Sequence, residues 1–158
     1  MSDAERLIAR LRSRSWKLAT AESCTGGLLA GLFTEIAGAS DVYERGFVTY
    51  SNAAKVGDLG VGLGTLLRHG AVSPEVAEEM AAGARRGSAA DVALSVTGIA
   101  GPGGGSEKKP VGLVYIGLAV PGKPAVAHAF RFGDLGRSAI RLRTVAEALA
   151  ILERAISA

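Results

Sequence analysis

The chain has 158 residues, 48% of them hydrophobic and 21% charged, with a formal net charge of +3; this composition predicts one globular domain over residues 1–158 and excludes a disordered chain. The single cysteine excludes an internal disulfide and a cysteine-based zinc site, and no apolar stretch reaches the ~20 residues of a membrane span. The start has no signal-peptide pattern and the few aromatic residues are not interleaved with basic ones, so we expect a cytoplasmic protein that binds neither membranes nor nucleic acid.

The first part of the chain predicts a helix, a strand and a second helix. Ser2 and Glu5 form a capping box, and the apolar spacing behind them predicts a helix that ends near Ser13. Residues 17–21 suit a short buried strand. Residues 25–36 carry apolar side chains at helical spacing, which predicts an amphipathic helix directly after a polar turn.

The middle of the chain predicts a strand followed by helical segments. β-branched and aromatic residues favour a strand over 42–50, and Ser51 is the expected N-cap of a short helix after it. Glycines at every second or third position over 57–64 predict a loose region, with one or two helical turns behind it. The Ser-Pro-Glu sequence at 73–75 predicts the start of a longer helix that ends at Gly87.

The last part predicts three strands, a glycine-rich loop and a final helix. Residues 91–97 have the pattern of a buried strand, and residues 98–105 form the loop. Two strands around a Pro-Gly turn predict a hairpin within 111–132, and Asp134 or Ser138 is expected to cap the last helix. Helices and strands that alternate early, with a hairpin late, predict an α/β fold: a three-layer α/β/α sandwich with a mixed, mostly parallel sheet.

Three polar clusters each fall at the C-terminal end of a predicted strand. In open α/β sheets, ligands bind in the crevice at that edge, so we expect the clusters to form one site. They are Ser23-Cys24-Thr25, Tyr50-Ser51-Asn52 with Lys55, and Thr97 with the glycine loop behind it.

Two adjacent residues compete as the nucleophile. Ser23 needs a nearby base, and a helix-capping serine is the competing interpretation. Cys24 is either a reactive thiol near a helix N-terminus or a small buried residue. We interpret His69 as a helix-end residue and His128 as a structural strand residue, so a Ser-His-Asp triad is not favoured.

Lys55 is the alternative base. Its pKa, about 10.4 for a free lysine, would have to be lowered by burial or nearby positive charge, and the competing interpretation is an exposed lysine on a short helix. Tyr50 either relays a proton or orients a substrate, or it is a half-buried strand tyrosine. Glu22 holds the turn, receives a ligand group, or is an exposed charge.

Phosphate binding has two candidate sources. The loop 98–105 can bring backbone N–H groups to a phosphate, although it matches neither a Walker A nor a Rossmann motif and a plain surface loop competes. Arg137, Arg141 and Arg143 either grip a phosphate or form a basic helix face in solvent. No histidine pair, Cys-x-x-Cys or acidic cluster indicates a metal site, so we expect neither a metal nor a cofactor.

Four motifs resemble the CinA C-terminal domain family, which includes stand-alone nicotinamide-nucleotide amidases of the PncC type. They occur in the family's order, span nearly the whole chain, and lie at 20–27 (TAESCTGG), 45–52 with Lys55, 70–73 and 96–112. The resemblance implies metal-free hydrolysis of the small-molecule substrate nicotinamide mononucleotide to nicotinate mononucleotide and ammonia, in pyridine nucleotide recycling. It also suggests a homo-oligomer, specifically a dimer.

The resemblance implies roles for matching residues. Ser23 corresponds to the nucleophile, Lys55 to its general base, and Tyr50 and Thr97 to active-site partners. Backbone N–H groups at the start of the 25–36 helix are expected to hold the oxyanion. The residues expected to bind substrate are Glu22, Cys24, Thr25, Gly26, Asn52, Gly98, Ala100, Gly101, Gly103, Gly104, Arg137 and Arg141.

One position departs from the family pattern. The family commonly has an arginine directly after the Gly-Asp of the last strand–helix junction, whereas here Leu135 and Gly136 follow that pair. The choice between Arg137 and Arg141 as the phosphate ligand therefore stays open.

Two alternative functions remain. A non-catalytic nucleotide-sensing or partner-binding module, linked to competence and DNA damage through the family name, would keep the glycine loop but would not need a lysine near Ser23. An amidase acting on a different nucleotide or amide is the second alternative.

Overall fold

Six α-helices and five β-strands make up the computed structural model, which describes residues 1–158. The helices are α1 (Asp3–Ser13), α2 (Leu28–Thr34), α3 (Asn52–Leu59), α4 (Leu63–His69), α5 (Pro74–Arg86) and α6 (Arg137–Ser157). The strands are β1 (Leu18–Glu22), β2 (Tyr43–Val48), β3 (Val92–Gly98), β4 (Leu113–Ala119) and β5 (Val126–Arg131). None of the helices combines the length and apolarity needed to cross a bilayer.

The strands form one sheet in the order β2-β1-β3-β4-β5. β1 pairs in parallel with both β2 and β3, whereas β4 is antiparallel to β3 and to β5. Four strands therefore run in one direction and β4 alone runs in the other, which confirms the predicted mixed, mostly parallel sheet. The predicted hairpin is β4-β5.

Helices cover both faces of the sheet, which confirms the three-layer sandwich. Successive side chains of a strand point to opposite faces. On β3, Leu94 packs in a core with residues of α1, α2 and α6, whereas Ala93 packs with residues of α5. Ser95 lies on the α5 face as well, where its hydroxyl donates to Ala77 O at 2.6 Å.

Local signals in the sequence set several helix starts. Ser2 and Glu5 make both hydrogen bonds of the predicted capping box at the start of α1. The side chains of Ser51 and Ser73 each accept a hydrogen bond from the backbone N–H three residues on, which begins α3 and α5, and Pro74 occupies the first position of α5. These starts confirm the predictions because each depends on only a few neighbouring residues.

Two predicted boundaries are wrong. The stretch 57–64 is not loose, since it contains the end of α3 and the start of α4. Burial of Leu59 outweighs the low helix propensity of the glycines there. The N-cap of α6 is Gly136 rather than Asp134 or Ser138. Asp134 accepts only one long contact of 3.4 Å, from the Gly136 N–H, and Ser138 lies inside the helix.

The carboxyl ends of β1, β2, β3 and β5 meet at one edge of the sheet. Because these strands run in the same direction, the segments 23–27, 49–51, 99–105 and 132–136 all leave the sheet at that edge. α6 begins at the same edge. The fold therefore brings together every polar cluster that the sequence indicated.

Candidate active site

Ser23 and Lys55 form a buried hydrogen-bonded pair at this edge. Nζ of Lys55 lies 2.9 Å from Oγ of Ser23, and Lys55 is only 1% exposed. Ser23 directly follows β1, and its backbone N–H donates to Val96 O of β3 at 3.0 Å, which anchors the serine to the sheet. The structure thus brings together the two residues predicted to act as nucleophile and base.

Apart from the Ser23 hydroxyl, the amine of Lys55 contacts only backbone carbonyls. Nζ donates to Thr49 O at 2.8 Å and to Tyr50 O at 3.4 Å, and none of the ion pairs in the protein includes this lysine. Burial lowers the pKa of Lys55 below its usual value because it disfavours the charged form; Cys24 has a smaller, opposing effect.

The lowered pKa favours a neutral amine, whose geometry suits a base. A neutral amine has two N–H groups and one lone pair. If the two N–H groups donate to Thr49 O and Tyr50 O, the lone pair is left to accept the hydroxyl proton of Ser23.

Stability should depend on pH through Lys55. Between its lowered pKa in the folded protein and its value of about 10.4 in the unfolded chain, only the unfolded chain keeps the proton. The free energy of unfolding should therefore rise with pH in this window, by up to about 1.4 kcal/mol per pH unit, and should not depend on this group below the folded pKa. Urea denaturation from about pH 7 to about pH 10 gives the free energy of unfolding of the wild type and of Lys55→Met, and the difference between the two at each pH measures the contribution of Lys55. A difference that stays constant with pH would contradict the lowered pKa.

Glu22 closes the turn between β1 and α2. The side chain is fully buried, and its two carboxylate oxygens accept from the N–H groups of Leu29 at 2.8 Å and Ala30 at 3.0 Å. Of the three alternatives for Glu22, the geometry corresponds to holding the turn. Both oxygens are occupied by the backbone, so the carboxylate is not free to receive a ligand group.

α2 begins three residues later than predicted. Gly26 and Gly27 have φ angles of +56° and +104°, which lie outside the right-handed helical region. An L side chain is strained at such angles, so glycine suits both positions. The seven-residue helix that follows starts at Leu28.

Two backbone amides directly after Ser23 are free donors. The first amides of α2 all have acceptors, which are Thr25 O, the Glu22 carboxylate and Gly27 O. By contrast, the N–H groups of Cys24, Thr25 and Gly27 donate to no backbone acceptor, and those of Cys24 and Thr25 directly follow Ser23. The expected oxyanion donors at the start of the helix are therefore occupied, and the available ones belong to the turn.

The thiol of Cys24 lacks the properties of a nucleophile. Cys24 is buried, and burial raises its pKa to about 11. A depressed pKa, which the proximity of a helix N-terminus suggested, is thus not found. The structure supports the alternative interpretation of Cys24 as a small buried residue beneath the turn.

The folded protein should therefore resist thiol alkylation. With a pKa near 11, only about 10⁻³ of the Cys24 side chain is thiolate at about pH 8. We expect iodoacetamide to leave the native protein unmodified by intact-mass spectrometry and to label the same sample after denaturation in guanidinium chloride. Rapid labelling of native protein, with loss of activity, would restore Cys24 as a candidate nucleophile.

Arg137 reaches across the mouth of the site from the start of α6. Its Nη1 donates to Gly101 O at 2.7 Å, and its Nη2 donates to the hydroxyl of Tyr50 at 3.0 Å. Arg137 and Tyr50 are both exposed, so the guanidinium faces solvent between the glycine loop and the segment after β2.

Arg141 lies one turn further along α6 and points at the turn after β1. Its Nε donates to Cys24 O at 3.0 Å and its Nη2 to Thr25 O at 3.2 Å. Arg143 does not reach the site: it pairs with Glu147 at 3.4 Å and lies over the ring of Phe132. These three arginines of α6 thus have three different environments.

Thr97 lies next to the pair without a hydrogen bond to it. Its buried hydroxyl donates to Ala71 O at 2.8 Å and so attaches the segment 70–73 to β3. Asn52 is the exposed first residue of α3. In the glycine loop, Ala100 and Gly101 are buried, Gly98 is half-buried, and Gly103 and Gly104 are exposed.

Thr49 is a residue of the site that the sequence did not indicate. Its carbonyl holds the lysine amine, and its own hydroxyl, like that of Thr25, is buried without a partner. A backbone acceptor leaves no signature in a residue type, so no feature of the sequence could have indicated this role.

No enclosed cavity surrounds the pair. None of the five cavities on the surface is lined by Ser23 or Lys55. One cavity of about 470 Å³ lies beside the turn between α2 and α6, with Gly26, Leu28 and Leu142 among its lining residues. The protein contains no group of three or more His, Cys, Asp or Glu side chains that could hold a metal ion.

Comparison with known proteins identifies the family. The family model for the CinA C-terminal domain matches residues 2–156. The chain belongs to the CinA C-terminal domain family. This confirms the resemblance inferred from the four motifs.

The curated relatives described next are longer than this chain. A putative competence-damage inducible protein of Caldanaerobacter subterraneus subsp. tengcongensis is 52% identical over 150 residues, which are 95% of this chain and 36% of that protein. A CinA-like protein of Syntrophobacter fumaroxidans is 51% identical over 94% of this chain and 34% of that protein. The chain spans about a third of the length of these curated relatives.

Solved structures of the CinA superfamily share the fold over all or nearly all of the chain. The competence/damage inducible protein CihA from Agrobacterium tumefaciens is 50% identical, with a TM-score of 0.91 over 100% of this chain and 98% of that one. A CinA superfamily protein from Escherichia coli is 36% identical, with a TM-score of 0.89 over 94% of this chain and 85% of that one. The fold of the CinA superfamily is therefore shown for this chain.

Proposed function

We propose that this CinA-family domain is a metal-independent amidohydrolase that converts nicotinamide mononucleotide to nicotinate mononucleotide and ammonia in pyridine nucleotide recycling. The observation that carries the proposal is the distance of 2.9 Å between the buried amine of Lys55 and the hydroxyl of Ser23. A serine within hydrogen-bond reach of a base is the arrangement that nucleophilic catalysis requires, and the lowered pKa of Lys55 supplies the base.

The first half of the reaction forms an acyl-enzyme. Neutral Lys55 takes the hydroxyl proton of Ser23 while Oγ bonds to the carboxamide carbon. The resulting oxyanion accepts hydrogen bonds from the free amides of Cys24 and Thr25. Lys55 then gives its proton to the amide nitrogen, and the C–N bond breaks. Ammonia is released, and the acyl group remains bound to Ser23 as an ester.

The second half reverses these proton transfers. Lys55 takes a proton from water, the hydroxide oxygen bonds to the ester carbon, and the C–O bond to Ser23 breaks. The proton returns to Oγ of Ser23, and the product leaves as a carboxylic acid, whose proton passes in solution to the released ammonia. The net change is one amide and one water converted to one carboxylate and one ammonium ion.

Arg137 is the better candidate for the phosphate. Its guanidinium faces solvent and contacts only neutral acceptors, Gly101 O and the Tyr50 hydroxyl, which an anionic ligand can replace. The donors of Arg141 are directed at two backbone carbonyls of the turn. Charge and exposure therefore favour Arg137 over Arg141 as the phosphate ligand.

The homodimer suggested by the family resemblance stays a prediction, which light scattering of the purified protein can check.

An assay of ammonia release tests the proposed function. Purified protein should release one ammonia per nicotinate mononucleotide formed, with a rate that a chelator does not change and that rises with pH as Lys55 loses its proton. Nicotinamide riboside, which lacks the phosphate, should react with a higher KM. Binding of nicotinamide mononucleotide with no turnover at any pH would instead support the nucleotide-sensing module.

A further inference from the structure

Arg141 is attached to the catalytic turn from 116 and 117 residues away in the chain. The side chain is half-buried and forms no ion pair. Its guanidinium donates hydrogen bonds to Cys24 O and Thr25 O. An arginine that binds backbone carbonyls so close to a nucleophile constrains how the turn is oriented.

The first constraint acts on the N–H of Thr25. A peptide unit is planar and trans, so its C=O and N–H point in opposite directions. Cys24 O and the Thr25 N–H belong to the same unit. By holding Cys24 O at 3.0 Å, Arg141 directs the Thr25 N–H away from α6.

The second constraint acts on the N–H of Cys24 through one intermediate bond. Ser23 O, in the same peptide unit as the Cys24 N–H, accepts from the Gly26 N–H at 3.0 Å. The Gly26 N–H shares its own unit with Thr25 O, the second acceptor of Arg141. One guanidinium therefore sets the orientation of three consecutive peptide units.

Both amides controlled in this way are the free donors next to Ser23. We propose that Arg141 is a positioning residue that holds the Cys24 and Thr25 amides in the direction of the oxyanion and does not bind the phosphate. The proposal rests on the proposed function in so far as it assumes acyl transfer at Ser23.

Arg141→Ala is the variant that tests the proposal, with Arg143→Ala as the matched control on the same helix. Two readouts are measured: kcat and KM for nicotinamide mononucleotide, and the rate of Ser23 acylation by p-nitrophenyl acetate. Arg141→Ala should lower kcat and the acylation rate together, each by about 10²-fold, with KM changed less than about 3-fold. Arg143→Ala should resemble the wild type in both, because it lies outside the site.

A chemical rescue separates positioning from general loss of structure. Added guanidinium at low millimolar concentration should restore part of the acylation rate of Arg141→Ala and none in Ser23→Ala. If Arg141→Ala does not fold, Arg141→Gln is the second variant, because glutamine keeps one side-chain donor for one of the two carbonyls. Its thermal unfolding midpoint shows whether it is folded, and its acylation rate is then compared with that of the wild type. An unchanged acylation rate in a folded Arg141 variant, or a raised KM with an unchanged kcat, would overturn the proposal.

Failure of the proposed substrate is distinguishable from failure of this inference. If the wild type releases no ammonia from nicotinamide mononucleotide but is acylated at Ser23, the substrate is wrong and the acylation rates still decide the role of Arg141. If the wild type is not acylated at all, a crystal structure of the Arg141 variant decides it: rotated peptide units at 24 and 25 support the positioning role, and unrotated ones refute it.

Discussion

Ser23→Ala and Lys55→Met should each lower kcat for nicotinamide mononucleotide by at least about 10³-fold without unfolding the protein. The first variant removes the atom that forms the acyl bond, and the second removes the only group within hydrogen-bond reach of that atom that can take its proton. Because the two side chains act in the same step, the double variant should be no slower than the slower single variant. Steady-state ammonia release and circular dichroism measure the two parts of this prediction.

The controls for these variants lie elsewhere in the chain. Lys123→Met removes an exposed lysine from the hairpin turn between β4 and β5, at the opposite edge of the sheet, and should leave kcat unchanged. Cys24→Ala keeps the backbone amide and should stay active. If Cys24→Ala abolished turnover while Ser23→Ala did not, the roles of these two residues would be reversed.

Gly83→Ala should lower the free energy of unfolding by about 3 kcal/mol and reduce activity as well. A Cβ at Gly83 of α5 would overlap the carbonyl group of Leu59, the last residue of α3, and a backbone group cannot rotate away as a side chain can. α3 must therefore shift, and it carries Lys55 one turn earlier. Urea denaturation and kcat, measured on the same preparation, check both effects.

Gly57→Ala is the matched control for this substitution. Gly57 is also helical, but a Cβ there would meet no atom within 4 Å. Since alanine has the higher helix propensity, Gly57→Ala should stabilise the protein by up to about 1 kcal/mol. Equal stability of the two alanine variants would show that α3 and α5 are not in close backbone contact.

Elements that depend on neighbouring residues were predictable from the sequence. The capping box at Ser2, the N-caps Ser51 and Ser73, and the alternation of helices and strands each follow from a few adjacent side chains, and all are confirmed. The later start of α2 was not predictable, because it depends on the left-handed turn at Gly26 and Gly27 and on the buried carboxylate of Glu22. Apolar spacing alone extends a helix through such a turn.

The candidate site was predictable as a group of residues but not as a geometry. Strand ends and family motifs indicated Ser23 and Lys55, whose contact spans 32 residues. The different environments of Arg137 and Arg141 could not be inferred, since two arginines one helical turn apart look alike in a sequence. Only the packing of α6 against the turn separates them.

The hydrogen bonds of Arg137 have a consequence for recognition. Its guanidinium is held by two groups of the protein itself, Gly101 O and the Tyr50 hydroxyl. The rotamer entropy of such a side chain, up to about 2 kcal/mol, is thus largely lost during folding rather than on association. The side chain is therefore preorganised for an anionic ligand. The affinity for the anion depends mainly on replacing the neutral acceptors of the guanidinium with charged oxygens, and only a small amount of rotamer entropy is lost on binding.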